Sequence, residues 1–512
     1  MNATRLSRRT FLAGAGLAAL ALPARGLLAL ASTTPVTVRT LNGTLRGEQA
    51  DGVNVFRGVP FAQPPVGALR FRPPVPPAHW TGERDATRFA ASAMQAAEPG
   101  IEHSEDCLYL NVWAPRGKGP FPVFVWIHGG GFTGGHSFEP VYDGTLLAQA
   151  GIVCVTVAYR LGVFGFLDIE PLLGADYAGS ANNGLRDLIA SLQWVQENIA
   201  AFGGDPSRVT VGGQSAGAKL TDILLGVPSA QPLFHQAISE SGGAERVWNR
   251  AQSADVARGF AETWRSLTGQ EPSSLLTAPA SALIAPQVRF IQQWPRHFPL
   301  RAEIDGTLLP LRPVETIAGG GSRGKRLLIG NTREESSAFL GPHPAHDAGA
   351  ADLGNLPVDR FAEVYRKYRD IYPQMNEEQL RIRAVTAEEY WIPTVRVADA
   401  CLQGGGSAWM YRVDFPEGAG LLRGFAHHSI DIRLFWDRPS PTDENAAAEA
   451  ALALQMHHAW LAFLRGEVPV LEGIGPWPAY RAETRPTLVF DSNIHVEQAP
   501  QEKELRLWDG VL

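Results

Sequence analysis

The sequence predicts an α/β fold: a mostly parallel central sheet flanked by helices, with large loop and helical insertions. Three observations predict it. Residues 121–128 and residues 152–159 are apolar almost throughout, as strands buried on both faces must be. Between residues 183 and 201, Leu185, Leu188, Ile189, Leu192 and Val195 recur at helical spacing. Buried strands alternating with amphipathic helices require a parallel sheet covered on both sides.

The remaining elements follow in chain order. Residues 36–46 alternate and turn at Asn42-Gly43, a hairpin signal. Residues 53–84 carry Pro60, Pro64, Pro65, Pro73, Pro74, Pro76 and Pro77. Each proline fixes φ and removes a donor, so a long ordered surface loop is expected. Val209-Thr210-Val211-Gly212 is a third, shorter strand run. Leu327-Leu328-Ile329-Gly330 and residues 408–415 add later strands, and residues 446–465 a helix. Length alone would allow about three domains. No repeat or low-complexity linker divides the chain, so one catalytic unit is expected over residues 32–512.

Composition excludes several classes of function. The 512 residues are 45% hydrophobic and 19% charged, with a net charge of −7. That is an ordinary globular balance. There is no basic stripe of the kind nucleic acid needs. Cys107, Cys154 and Cys401 form no Cys-x-x-Cys or Cys/His cluster, so neither a zinc site nor a disulfide framework is indicated. Cys154 lies in an apolar run and reads as a small buried hydrophobe. At the start, Ser7-Arg8-Arg9-Thr10-Phe11-Leu12 leads into an uncharged stretch, residues 11–22, with Ala29-Leu30-Ala31 beyond it. This reads as a twin-arginine export signal over residues 1–31, giving a periplasmic or secreted protein. Pro23 and Arg25 interrupt the stretch before the ~20 apolar residues a membrane span needs. No later segment is long and apolar enough, so no stable span is expected in the mature chain.

The chemistry lies in two glycine motifs. Gly213-Gln214-Ser215-Ala216-Gly217 follows the third strand run and opens into Ala218-Lys219-Leu220, a helix start. That is the context of a nucleophile elbow, the mark of an α/β-hydrolase fold. The serine sits on a strained turn, and the flanking glycines leave room for neighbouring backbone. The helix N-terminus adds unpaired N–H groups and a positive dipole end. The second motif, His128-Gly129-Gly130-Gly131-Phe132, ends the first strand run. Its glycines let backbone approach a ligand closely. Gly130 and Gly131, with Ala216, are the expected oxyanion donors, and losing one such donor costs ~10²–10³ in rate. A serine hydroxyl needs a base to take its proton, and the base needs an acid to hold its tautomer. The chain order on this fold is serine, acid, histidine.

Further stretches carry a resemblance. Phe202-Gly203-Gly204-Asp205-Pro206 followed by residues 209–217, Glu105-Asp106-Cys107-Leu108-Tyr109-Leu110-Asn111, and Phe56-Arg57-Gly58-Val59-Pro60-Phe61-Ala62 with Pro64-Pro65-Val66-Gly67 resemble the type-B carboxylesterase (cholinesterase-like) family. The resemblance runs from about residue 36 to the C-terminus. It implies an α/β-hydrolase that cleaves small-molecule carboxylic esters through an acyl-enzyme, with no cofactor and no metal. It implies Glu335, in Gly330-Asn331-Thr332-Arg333-Glu334-Glu335-Ser336, as the acid. Glu334 is the runner-up, otherwise a solvated loop carboxylate, and Asp305 reads as a turn residue. It implies His428 as the base, with Asp431 three positions on and His427 as the nearest competitor. Ser241 matches a family serine that hydrogen-bonds near the triad. His457 and His458 read as surface or packing residues.

The sequence also departs from the family. Gln214 replaces the glutamate usual before the nucleophile. The imidazolium thereby loses a nearby negative charge, and the pH–rate profile is expected to begin lower than in glutamate-bearing relatives. Ala158 replaces a usual asparagine. Cys107 lacks its usual upstream partner, and Met94 stands near that place. The loop over residues 91–104 is therefore expected to be unbridged and short. It lacks the tryptophan that cholinesterases use to hold choline by cation–π contact, which favours a broader esterase with a more open site. Trp294, Phe298, Phe339 and Trp391 are candidates for an acyl pocket or for core packing. Two other readings stand beside ester hydrolysis: amide or lactone cleavage on the same fold, and a non-catalytic binding or adhesion protein.

Overall fold

The computed structural model describes residues 34–340, 354–440 and 444–511. The expected export signal, residues 1–31, lies outside the described residues. The main sheet is built from β1 (Thr34–Arg39), β2 (Thr44–Ala50), β3 (Val53–Pro60), β4 (Tyr109–Ala114), β5 (Phe121–Ile127), β6 (Val153–Val157), β7 (Gly204–Gln214), β8 (Gln236–Glu240), β9 (Arg326–Thr332), β10 (Ser407–Val413), β11 (Thr487–Phe490) and β12 (His495–Glu497). Their spatial order is β1-β2-β3-β4-β6-β5-β7-β8-β9-β10-β11-β12. From β6 to β11 every neighbouring pair is parallel. The β1–β4 edge and the last pair are antiparallel.

The expected hairpin is β1–β2, joined across Asn42-Gly43. The expected loop over residues 53–84 is bounded by strands instead: Val53–Pro60 opens it, and Glu83–Asp85 closes it by pairing with β2. The residues of β3 before Pro60 keep their donors, and only from Pro60 onward do prolines end pairing. All of β6 and β8 is buried, as parallel strands covered on both faces require.

The two faces of the sheet support two cores. Along β5, Val123, Val125 and Ile127 face one core, while Phe124 and Trp126 face the other. Helix α1 (Asn183–Asn198) covers the first core with Leu185, Leu188, Leu192 and Val195. Helices α3 (Ile430–Phe435) and α4 (Ala446–Leu464) cover the second with Leu434, Phe435, Met456, Trp460 and Phe463. Between them in sequence position, α2 (Ala216–Leu225) leaves the end of β7 and is buried along its whole length. Among the described residues no helix is long and apolar enough to cross a membrane.

Phe124 shows how tightly the second core is filled. It is fully buried, and its ring lies 5.9, 5.7 and 6.4 Å from those of Trp126, Phe435 and Trp436. Phe124→Ala is expected to cost about 3–5 kcal/mol of stability, read as a lowered midpoint in urea unfolding.

Candidate active site

Ser215 occupies the single residue between β7 and α2, with φ 56° and ψ −121°. A non-glycine residue held there costs on the order of 1–3 kcal/mol. Two backbone bonds hold it: its N–H donates to Glu240 O at 2.9 Å, and its C=O accepts from Lys219 N–H at 2.9 Å. The flanking glycines are forced by β5. A Cβ on Gly217 would lie 1.9 Å from the carbonyl oxygen of Ile127, and one on Gly213 2.4 Å from the same oxygen. No side chain fits at either position.

That oxygen belongs to the last residue before the second glycine motif. Gly130 and Gly131 take φ 110° and 62°. The C=O of Gly130 accepts from Thr133 and Gly134 N–H at 3.0 and 2.9 Å, closing the turn on itself. Among the described residues, the N–H groups of Gly130, Gly131 and Ala216 donate to no backbone acceptor. A Cβ on Gly129 would lie 3.2 Å from Ser215 Cβ, so the turn passes beside the nucleophile. His128 braces the turn: its ring stacks on Tyr159 at 4.6 Å, and the Tyr159 hydroxyl donates to His128 O at 3.0 Å. Burial pushes His128 down to about 3, so it is neutral and structural.

Glu335 and His428 meet. His428 Nδ1 donates to Glu335 Oε2. The other carboxylate oxygen accepts from Thr332 N–H at 2.7 Å and from the Ser241 hydroxyl at 2.6 Å. With its proton on Nδ1, His428 presents a lone pair at Nε2, and the Gln214 amide donates to it at 3.3 Å. Gln214 precedes Ser215, so this contact sets the accepting edge of the imidazole at the elbow. The His428 ring lies 5.0 Å from both Phe339 and Tyr390.

The competitors have other partners. Glu334, the runner-up, is a part-buried loop carboxylate with partners of its own. It pairs with Arg333, accepts from Ala426 N–H at 2.9 Å, and its own N–H donates to Ala426 O at 3.0 Å. It ties the loop carrying the acid to the loop carrying the base. His427 pairs with Glu417 at 3.0 Å. Asp305 accepts the N–H groups of Thr307, Leu308 and Leu309, as a turn residue does. His457 is buried and bonds Phe435 O. Asp431 is fully buried and accepts from the Tyr411 hydroxyl at 3.2 Å. Burial and the nearby Glu335 charge push it up to about 7.

Of the four aromatic candidates, two reach the site. Phe298 packs on the glycine turn, where a Cβ on Gly131 would meet its ring at 2.9 Å. Phe339, 44% exposed, covers His428 from the open side. Trp294 packs on Phe290, and Trp391 lies in the first core.

Several neighbours were not foreseen. The Arg246 guanidinium lies 3.7 Å from the Phe298 ring centroid and pairs with Glu389. Lys219 also pairs with Glu389, at 3.3 Å, and sits 4.6 Å from the Tyr390 ring. Glu389 and Tyr390 lie in a π-helical turn, Ala387–Trp391, a distortion that recurs at functional sites. The one visible signal was Glu388-Glu389 set in an otherwise apolar stretch. Backbone strain gathers here too, because Phe132, Ser215, Ser241, Phe298 and Ser429 all take positive φ. Among the described residues, no group of three or more His, Cys, Asp or Glu is placed to hold a metal ion.

A serine on an elbow, a glycine turn with free N–H groups and an acid-paired histidine define a serine hydrolase of the α/β-hydrolase fold. The carboxylesterase family profile matches residues 34–508. The chain is 37% identical to the para-nitrobenzyl esterase of Bacillus subtilis (strain 168), across 92% of this chain and 98% of that one. It is 33% identical to the fumonisin B1 esterase of Sphingopyxis macrogoltabida, across 91% and 87%. A solved PNB esterase structure superposes with a TM-score of 0.82 at 35% identity, covering 93% of this chain and all (100%) of that one. The chain belongs to the carboxylesterase family and is a carboxylic-ester hydrolase.

Two outcomes are expected. Gly217→Ala should lose about 1–3 kcal/mol to overpacking along with most activity, measured by urea unfolding and ester turnover. Gln214→Glu replaces an amide donor with a charge that favours the imidazolium. Its kcat/KM should therefore fall away at higher pH on the acidic side than in the wild type; an unmoved acidic limb would refute the role given to Gln214.

Proposed function

We propose that Ser215, His428 and Glu335 hydrolyse esters in two acyl-transfer steps. The observation that carries this is the His428–Glu335 bond, with His428 Nε2 3.3 Å from the side chain of Gln214, the neighbour of the strained Ser215. His428 Nε2 takes the Ser215 proton as the hydroxyl oxygen attacks the ester carbonyl. The developing oxyanion lies against the N–H groups of Gly130, Gly131 and Ala216. His428 then gives its proton to the leaving alcohol, and water repeats the sequence to release the acid. Glu335 stays ionised and steadies the imidazolium, with Ser241 supporting it.

The site suits a broad range of esters. Residues 91–104 carry no tryptophan for a quaternary ammonium. Instead, the Gln95 side chain clasps the backbone of Gly135 with bonds of 2.9 Å in each direction, beside the oxyanion turn. We also propose that residues 1–31 direct export and that residues 32–512 form one catalytic unit.

Ser215→Ala is expected to lower kcat toward p-nitrophenyl esters on the order of 10⁶-fold while the protein stays folded. Equal turnover by the variant would sink the assignment. A series of acyl lengths, run beside thiocholine esters and anilides, should show turnover across several acyl esters and no preference for the choline ester. Removing residues 1–31 should confine the protein to the cytoplasm, read by cell fractionation.

A further inference from the structure

A second group of acids lies beneath the triad. On β8, β9 and β10, Glu240, Gly330 and Tyr411 stand side by side in register. A Cβ on Gly330 would lie 2.4 Å from Tyr411 Cδ1, so the tyrosine ring leans across the bare glycine. Its hydroxyl donates to Asp431. Trp460, from α4, packs on Tyr411 at 5.1 Å and donates its indole N–H to Glu240 Oε1 at 2.9 Å. Glu240, Asp431 and Glu335 are all 0% exposed.

The groups facing this pair are Glu335 from the loop after β9, Tyr411 from β10 and Tyr142 from the turn Pro140–Tyr142, with His428 beyond Glu335. Among the described residues, no Lys or Arg pairs with Glu240 or Asp431. Three buried carboxylates beside one imidazole cannot all be ionised, because like charges in a dry site repel strongly. The supply of donors ranks them. Glu335 accepts from His428, Thr332 and Ser241. Asp431 accepts from Tyr411 and lies against its own backbone N–H and that of Ile432 at the start of α3, both of which favour its charged form. Glu240 accepts only from Trp460, and its Oε2 has no partner. Asp431 Oδ1 is likewise without one. Burial and the Asp431 charge push the Glu240 carboxyl well above its ordinary range.

We propose that Glu240 holds a proton at neutral pH and serves as a neutral positioning residue for the nucleophile and the catalytic acid. Its place in the chain gives it that reach. The Glu240 carbonyl takes the N–H of Ser215, and the next residue, Ser241, donates to Glu335. Ionising Glu240 adds its charge to those of Asp431 and Glu335 and loosens both anchors. The sign follows from linkage. A carboxyl raised in the folded state stabilises least where the unfolded chain has already lost its proton. Stability therefore falls as pH climbs from the ordinary carboxyl range towards the folded value, and activity falls as the folded group ionises.

Glu240→Gln keeps the shape and neutrality of the protonated acid. Infrared spectra of the full chain at neutral pH should show a protonated-carboxyl stretch that weakens in Glu240→Gln, the remainder belonging to Asp431. The same variant should carry the alkaline limb of kcat/KM upward by about one pH unit or more and gain melting temperature over wild type as pH rises. A carboxyl band unchanged in Glu240→Gln, or an unmoved alkaline limb, overturns the proposal. Should Glu240→Gln fail to fold, Asp431→Asn decides: the band must persist there and titrate at lower pH than in wild type, and its loss overturns the proposal. The infrared reading needs no turnover, so it stands even if the roles given to Ser215 and His428 fail.

Discussion

One carbonyl oxygen fixes the geometry of the site. Ile127 O, at the end of β5, lies where a side chain on Gly213 or Gly217 would have to go. The elbow can approach the sheet only because both positions are bare. The same strand continues into the glycine turn, so Ser215 and the N–H groups of Gly130 and Gly131 are referenced to one backbone atom. Two motifs far apart in sequence thus act as one rigid unit, which is what pre-placed donors need if they are to meet a developing charge without reorganising.

Around that unit the fold spends much of its buried polar chemistry on orientation. Ser241 and Thr332 hold Glu335, Glu334 knots the acid loop to the base loop, and Tyr390 and Phe339 flank the imidazole. Behind Tyr390 and Phe298 sit two buried basic side chains, Lys219 and Arg246, sharing Glu389. Positive φ at Phe132, Ser215, Ser241, Phe298 and Ser429 is a second form of the same investment.

The sequence revealed what is local. The buried strands, the hairpin at Asn42-Gly43, the elbow and the glycine turn are each set by neighbours within a few residues. Glu335 and His428 needed the resemblance, because their meeting is a contact across 93 positions. What stayed hidden is long-range by nature. Glu334 looked solvated because its partner Ala426 arrives from another loop. Glu240 carries no local signal, because Gly330, Tyr411 and Trp460 close over it only in the folded sheet. Tyr390 lies in a π-helical turn that brings it 5.0 Å from the His428 ring, a placement no local pattern marks. The strand over Val53–Pro60 was masked by the prolines that follow it, a case of turn chemistry obscuring strand pattern.

The Gln95 clasp on Gly135 has a wider consequence. Cys107, Cys154 and Cys401 are buried and unbridged, so an amide side chain rather than a covalent link restrains the loop beside the oxyanion turn. Amide hydrogen bonds take no part in thiol–disulfide exchange. The architecture of this site therefore rests on no covalent cross-link that an oxidant must form or a reductant can break.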